Sequence, residues 1–214
     1  MIPKDARLER YILEHTKPEE KLLRELDRTT NLNTVQPRML SGHLQGALLE
    51  MVSKMITPSA ILEIGTFTGY SALCLAKGLS PAGILHTIEV DDELAPLAQS
   101  FFDRTALGKK IQLHIGNAIE IIPSLNTQFD LAFIDGDKRQ YVEYYNVLIP
   151  YMKSGSFILA DNVLWDGKVV SEPTANDAQT KGILAFNDFV HTDPTVENVL
   201  LPIRDGIMLL RKVD

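Results

Sequence analysis

The 214-residue chain reads as a doubly wound, mostly parallel α/β sheet with helices on both faces. Three features point there. An apolar run, Ala60 to Leu62 with Ile64, stops at a turn holding Gly65 and Gly69, and a helix-period segment with Ala72, Leu73, Ala76 and Leu79 follows. Further apolar runs of strand length recur at 85–91, 111–115, 129–134 and 156–160, with helix-period stretches between them. At the C-terminal end two apolar runs, 196–203 and 206–211, meet at Arg204-Asp205-Gly206, and Asp-Gly is a strong hairpin signal.

Two charged amphipathic helices, 5–15 and 18–32, precede the sheet. Pro18, Glu19 and Glu20 suit a first helical turn, with proline early and acids at the positive end of the dipole. Ile12 and Leu13 in one helix, and Leu22, Leu23 and Leu26 in the other, need cover. Ser41 is placed to cap a helix reaching residue 56, with Leu44, Leu48, Met51, Val52 and Met55 as its apolar stripe and Thr57-Pro58 as its end. After the second strand, Asp91 or Asp92 reads as the N-cap of a helix over 93–107, and Gly108 as its C-cap. Gly116-Asn117-Ala118 is the exit of the third strand. Residues 139–152 read as helix, with Tyr141, Tyr144 and Tyr145 on one face, and Gly155 turns the chain into the fifth strand. A polar stretch without aromatic residues, 166–181, precedes a last helix that runs to about residue 190. A long structureless loop is usually functional or disordered, so a lid or specificity loop is expected there. The whole is one domain, with 1–35 a helical extension and 36–214 the core.

Composition is that of an ordinary globular chain, 45% hydrophobic and 23% charged. Residues 1–10 are charged and lack an apolar signal region, and no apolar run approaches membrane-spanning length. The single cysteine, Cys74, rules out a disulfide within the chain and suits a reducing cytoplasm. It is expected on the inner face of its helix. A net charge of −7 disfavours broad nucleic-acid binding. A local basic patch stays open, because Lys109, Lys110, Lys138, Arg139, Arg204, Arg211 and Lys212 are spread over loops and strand ends.

Ligands of doubly wound sheets bind outside the carboxyl ends of the strands, which places the turn after Ile64 at the centre of interest. It is not a dinucleotide fingerprint, since counting from Gly65 the later glycines would fall at Phe67 and Tyr70. It is not a P-loop either, since position 70 is Tyr and no Lys follows. Glu63, two residues before Gly65, puts an anion at the strand end and suits a cationic ligand better than a pyrophosphate. Glu89 ends the next strand, about where such folds place an acid on ribose hydroxyls. Asp135 and Asp161 end the fourth and fifth strands, and Asn162 adds an amide oxygen. Two carboxylates and an amide form a hard-oxygen set, right for Mg²⁺ or Ca²⁺ and poor for Zn²⁺. Taken by themselves these residues also read as turn glycines, capping acids and an Asp-Asn turn.

Four strings, Glu63-Ile64-Gly65-Thr66-Phe67-Thr68-Gly69-Tyr70-Ser71, Ile88-Glu89-Val90-Asp91, Phe133-Ile134-Asp135-Gly136-Asp137-Lys138 and Leu159-Ala160-Asp161-Asn162, occur in this order and spacing. Together they resemble the class I S-adenosylmethionine-dependent O-methyltransferases of the caffeoyl-CoA and catechol type, from about Gln36 to the C-terminus. The resemblance implies a Rossmann-like, seven-stranded sheet whose last strand is antiparallel. It implies that S-adenosylmethionine is held by Glu63, Gly65, Thr66, Ser71, Glu89, Ala118 and Asp135, with Met39 and Leu40 in the pocket's roof. The family often carries an acid-rich stretch next to that roof, and this chain has Ser41-Gly42-His43-Leu44-Gln45 instead. It also implies a divalent cation, Mg²⁺ first and Mn²⁺ or Ca²⁺ next, on Asp135, Asp161 and Asn162. Lys138 would accept the proton of the attacking hydroxyl, or else be a surface lysine paired with Asp137.

The acceptor expected from the resemblance is a small vicinal diphenol, catechol or caffeoyl-type. Methylation of a hydroxylated transfer-RNA base and a non-catalytic cofactor-binding relative are the other readings. Intact Asp135, Lys138, Asp161 and Asn162 speak against the last of these, and the acidic net charge against the RNA. Trp165 is placed to pack on an aromatic acceptor or simply on its own loop. The family commonly pairs as a two-fold dimer, which would cover the apolar stripes of the two N-terminal helices.

Overall fold

Five parallel strands form the frame: β1 (Ala60–Ile64), β2 (Ile84–Glu89), β3 (Ile111–Ile115), β4 (Phe129–Ile134) and β5 (Met152–Asp161). The hairpin strands β6 (Val196–Leu201) and β7 (Ile207–Lys212) complete a seven-stranded sheet of order β3-β2-β1-β4-β5-β7-β6. Only β7 runs antiparallel, pairing with both β5 and β6. The structure is a computed structural model describing residues 5–213. Residues 1–4, part of the charged N-terminal segment, and residue 214 lie outside the described residues.

The strand sequences are near-continuous apolar runs because both faces are covered. One face carries α2 (Lys21–Asn33), α3 (Gly42–Ile56), α4 (Tyr70–Ala76) and α5 (Ala95–Phe102), which bury Leu26, Leu49, Leu75 and Phe102 against Ile61, Leu85, Phe133 and Leu159. The other carries α6 (Ala118–Ser124), α7 (Tyr141–Leu148) and α8 (Ala178–Thr192), with Ile122, Tyr145, Leu148 and Phe186 against Leu62, Ile88, Ala132 and Ile158. Every residue of α4 is buried, Cys74 included, and burial pushes its thiol up to about 12. Among the described residues no helix is long and apolar enough to cross a membrane.

Several boundaries differ from the sequence reading, each for a local reason. Pro18, Glu19 and Glu20 precede α2 rather than open it. Their acids are engaged elsewhere, Glu19 by the Tyr70 hydroxyl at 2.5 Å and Glu20 by Lys77 at 2.9 Å. Ser41 stands at the N-cap position of α3 but its side chain caps nothing. The expected α3 stripe is only partly inward: Leu48 and Val52 pack half-buried on the core, but Met51 is 59% and Met55 78% exposed, while Gln45, Gly46, Leu49, Glu50 and Ser53 point inward. Gly46 allows this, because a Cβ there would lie 2.6 Å from the Tyr70 ring. Glu50 tolerates burial because Lys17, Lys54 and Lys77 surround it at 2.5–3.0 Å, and they hold its carboxyl down to about 2 against the cost of desolvation. The helix after β2 starts with a short 3-10 turn capped by Asp91 and stops at Phe102, so Gly108 is not its C-cap. Gly108 instead sits in a 3-10 turn pressed on the Phe102 carbonyl, where a Cβ would be 1.9 Å away.

Further along, α6 is a helix the sequence reading did not foresee, short and carrying Pro123, with Asn117 capping it through Ile119 N–H at 3.0 Å. The segment expected as helix over 139–152 is α7 flanked by 3-10 turns, and β5 already begins at Met152. Gly155 lies inside β5 at φ +73, within a bulge between the pairs Phe129–Met152 and Leu131–Phe157. The polar stretch is shorter than expected: Trp165–Val170 is a kinked 3-10 segment and α8 starts at Ala178, capped by Asp177.

The two N-terminal helices differ in kind. α2 buries Leu23, Leu26 and Thr30 into the core, whereas α1 (Ala6–Glu14) buries nothing. Leu26→Ala should therefore cost about 2–5 kcal/mol, as for a large-to-small core substitution, and Leu13→Ala, at an exposed site, next to nothing. Urea unfolding at unchanged slope measures both, and equal midpoints for the two variants would show that α2 is not part of the cooperative core.

Candidate functional site

Parallel pairing puts the strand ends level. Glu63 pairs with Thr87 and Phe133, and Phe133 pairs with Leu159, so these four side chains share one face of the sheet. Two residues further on, and on the same face by strand period, come Gly65, Glu89, Asp135 and Asp161. Strand order reverses between β1 and β4, which makes this the topological switch point. Gly65 stands in the middle at φ +98, and a Cβ on it would lie 2.2 Å from the Asp135 carbonyl. It is the missing side chain that lets the turn after β1 lie against the backbone of Asp135 and Gly136.

The turn after β1 is tied down from β2. Gly65 N–H donates to the Ile88 carbonyl at 2.9 Å, and Phe67, left-handed at φ 49, donates its N–H to Glu89 Oε2 at 2.7 Å. Glu89 Oε1 accepts from the N–H groups of Val90 and Asp91 at 2.9 and 3.0 Å. Three of the roughly four acceptor positions of this carboxylate are thus filled by backbone, leaving Oε2 room for one further donor. Glu63 lies one level deeper and is fully buried. Thr66 and Thr87 are joined hydroxyl to hydroxyl at 2.5 Å, and Thr87 donates to Glu63 Oε2 at 2.5 Å. Burial pushes Glu63 up to about 8, with the Ser71 and Thr87 hydroxyls opposing the shift and the charges of Asp135 and Glu89 adding to it. Among the described residues, Thr87 alone makes a hydrogen bond of normal geometry to it, and Oε1 has no partner. Ser71 is buried in the first turn of α4, and Ala118 is buried at the start of α6.

The second half of the site lies on β4 and β5. Asp135 accepts from Lys138 Nζ at 2.8 Å, and Lys138, buried except for 6% of its surface, also donates to the Tyr141 hydroxyl at 2.5 Å. The structure thus pairs Lys138 with Asp135, while Asp137 caps the turn and binds Arg139. Tyr141 is fully buried, with its hydroxyl 3.1 Å from the Asp161 carbonyl and 3.2 Å from that of Ile134. Asp161 is clamped: Gln45 Nε2 donates to Oδ2 at 2.6 Å and its neighbour Asn162 donates its N–H to Oδ1 at 2.8 Å. Burial raises the Asp161 carboxyl, and the charge of Asp135 raises it further. Asn162 itself is held in left-handed backbone at φ 58. Among the described residues no group of three His, Cys, Asp or Glu side chains is placed to hold a metal. The oxygen set here is two carboxylates and an amide.

Leu40 is buried in the core and Met39 is 54% exposed, both next to the start of α3. Trp165 packs half-buried on the core beside α8, with its indole N–H buried and unpaired. Gln45, Thr87, Tyr141 and Arg204 have places here that sequence reasoning did not assign. Tyr141 was findable, standing one helical turn after Lys138. Gln45 was not, because the apolar stripe of α3 suggested the opposite face.

The comparisons agree with this geometry. The family model described as O-methyltransferase matches residues 13–213. The chain belongs to the O-methyltransferase family. Within it, a catechol O-methyltransferase of Niastella koreensis is 36% identical over 161 residues, covering 73% of this chain and 72% of that protein. A caffeoyl-CoA O-methyltransferase of Eucalyptus globulus is 34% identical over 181 residues, covering 79% and 73%. Among solved structures, the O-methyltransferase TomG of Streptomyces achromogenes in complex with SAM superposes with a TM-score of 0.89 at 26% identity, over 97% of this chain and 96% of that one. An O-methyltransferase of Bacillus cereus in complex with SAH gives 0.89 at 26% identity, over 96% and 97%. The methyltransferase is thus a member of the S-adenosylmethionine-dependent class with catechol and caffeoyl-CoA relatives, on the Rossmann-like fold expected from its sequence.

With burial pushing the Glu63 carboxyl up to about 8, the folded chain is expected to keep a proton that the unfolded chain loses above the ordinary carboxylate value of 4.5. Stability then falls as pH rises through that window. Glu63→Gln should flatten this slope and be the more stable chain at its alkaline end. Urea midpoints across the window test it, and an unchanged slope in the variant would mean that Glu63 is ionised in the fold.

Proposed function

We propose that the chain transfers the methyl group of S-adenosylmethionine to a hydroxyl of a small vicinal diphenol with the help of a divalent cation. What carries this reading is the convergence of Asp135, Lys138, Asp161 and Asn162 beside the cofactor-type turn of β1. Glu63 fits the ammonium of the cofactor's methionine portion, since its buried Oε1 has no partner among the described residues. Glu89 would take one ribose hydroxyl on Oε2 rather than two, because its other positions are filled. Gly65, Thr66, Ser71, Ala118 and Asp135 complete the cofactor pocket, with Met39 and Leu40 as its roof.

The donor set fits a hard cation, two crowded carboxylates and an amide oxygen with no nitrogen or sulfur ligand. Asp135, Asp161 and Asn162 would hold it, and its chemistry there would be to fix the acceptor oxygens and neutralise their charge. In the transfer, the acceptor oxygen forms a bond to the methyl carbon. The carbon–sulfur bond breaks, and its electron pair stays on sulfur as S-adenosylhomocysteine. The hydroxyl proton passes to Lys138 Nζ. Lys138 Nζ is held in place for this by its contacts to Asp135 and the Tyr141 hydroxyl. Alignment of oxygen, carbon and sulfur is most of what the protein must supply.

Labelled cofactor, a diphenol panel and bulk transfer RNA, each with and without EDTA, test the reading. Methylation of a diphenol that EDTA abolishes is expected, and Asp161→Ala should abolish it while leaving binding of S-adenosylhomocysteine intact. Lys138→Ala should depress kcat more than KM. Methylation of RNA alone, or full activity after chelation, would overturn the acceptor or the cation.

We also propose a two-fold dimer that covers the outer α3 face with Met51 and Met55 and the apolar residues of α1. Light scattering should report twice the 23.9 kDa chain mass, and a monomer at micromolar concentration would refute it.

A further inference from the structure

Arg204 occupies the turn between β6 and β7 in left-handed backbone, φ 50, where a glycine would sit without strain. Its guanidinium reaches back across the fold. Nη1 donates to the Gln45 Oε1 at 2.5 Å and to the Ser41 carbonyl, and Nη2 lies 3.4 Å from the Leu40 carbonyl. A guanidinium only donates, so Gln45 must turn its oxygen to Arg204 and its NH₂ to Asp161 Oδ2, 2.6 Å away. Gln45 is fully buried, which leaves its amide no water as an alternative partner. The turn itself is fastened to the segment that follows Asp161: Val163 and Leu164 donate their N–H groups to the carbonyls of Gly206 and Asp205, at 3.1 and 2.9 Å.

We propose that Arg204 and Gln45 are positioning residues that aim the Asp161 carboxylate, and that they do so only while the segment carrying Met39 and Leu40 is seated. This rests on the methyl-transfer reading above. One arginine holds the carbonyls of that segment and, through the Gln45 amide, one oxygen of the acid on the acceptor side. A shift of the roof breaks the guanidinium contacts, frees the amide to rotate, and lets the carboxylate turn. Seating of the cofactor's roof and orientation of the acceptor-side oxygens are thereby one event.

Arg204→Gly and Gln45→Leu separate this from a structural staple. Arg204→Gly removes the contacts and also the backbone strain, so its urea midpoint should match or exceed that of the wild type. Its kcat should nevertheless fall about 10–100-fold, the range typical when a partner of a ligating group is removed. Affinity for S-adenosylhomocysteine by calorimetry should hold in Gln45→Leu and weaken in Arg204→Gly, which also loses the Leu40 and Ser41 contacts, while affinity for Mn²⁺ titrated alone should drop with kcat in both. The double variant should be no worse than the poorer single one, because the two residues act as a unit. Unchanged kcat and Mn²⁺ affinity in Arg204→Gly, or losses that multiply in the double variant, would overturn the relay. A wild-type chain that neither transfers methyl nor binds Mn²⁺ would instead overturn the methyl-transfer reading, and the relay with it.

Discussion

The close approach of β1 and β4 at Gly65 is the constraint on which the rest depends. Parallel hydrogen bonding sets the strand ends level, and the period of two sends Glu63, Glu89, Asp135 and Asp161 to one face. A side chain at the centre of that row would collide with the Asp135 carbonyl. With glycine there, the turn folds over β2, Phe67 reaches Glu89, and the acids stay close enough for the charges of Asp135 and Glu89 to act on Glu63. Both proposed halves of the site, cofactor and acceptor, inherit their spacing from this one register.

Concentrating acids in a buried place has an electrostatic cost, and the structure meets it differently at each position. Glu89 accepts from three backbone donors and Asp135 is paired with Lys138. Asp161 has a neutral amide and a backbone N–H, and Glu63 has one hydroxyl, so these two carboxyls rise. A group left short of donors in a closed site is poised to gain from a positive partner. The sulfonium cofactor with its ammonium, and a divalent cation, are partners of that sign.

The elements around the site divide by how firmly they are held. α4 is wholly buried and fixes the turn, and α2 is welded to it through Leu23 and Leu26. α1 buries nothing and the outer face of α3 is apolar and exposed, so this side of the molecule has surface to spare for association. Between the two regimes lies the start of α3, where Arg204 gathers the Leu40 and Ser41 carbonyls and the Gln45 amide.

Much of this was legible in the sequence. Strand cores such as Ala60–Ile64 and Phe129–Ile134 announced themselves because sheets covered on both faces need unbroken apolar runs, and the acids announced themselves because they follow those runs directly. The hairpin of β6 and β7 followed from Asp205-Gly206, and the antiparallel last strand from the family resemblance. Helix ends were less legible, since Gly108 serves close packing on Phe102 and Glu19 and Glu20 serve distant partners. The inward face of α3 could be read only in part: Leu48 and Val52 of its stripe do pack on the core, but Met51 and Met55 are exposed, and Gly46 beside Tyr70 turns Gln45 and Glu50 inside. Local pattern therefore determined which strands exist and which acids end them. Which side chains meet those acids, Lys138 with Tyr141 and Gln45 with Arg204, was decided only in three dimensions, because a buried polar group takes whatever donor the packing of remote segments brings within 3 Å.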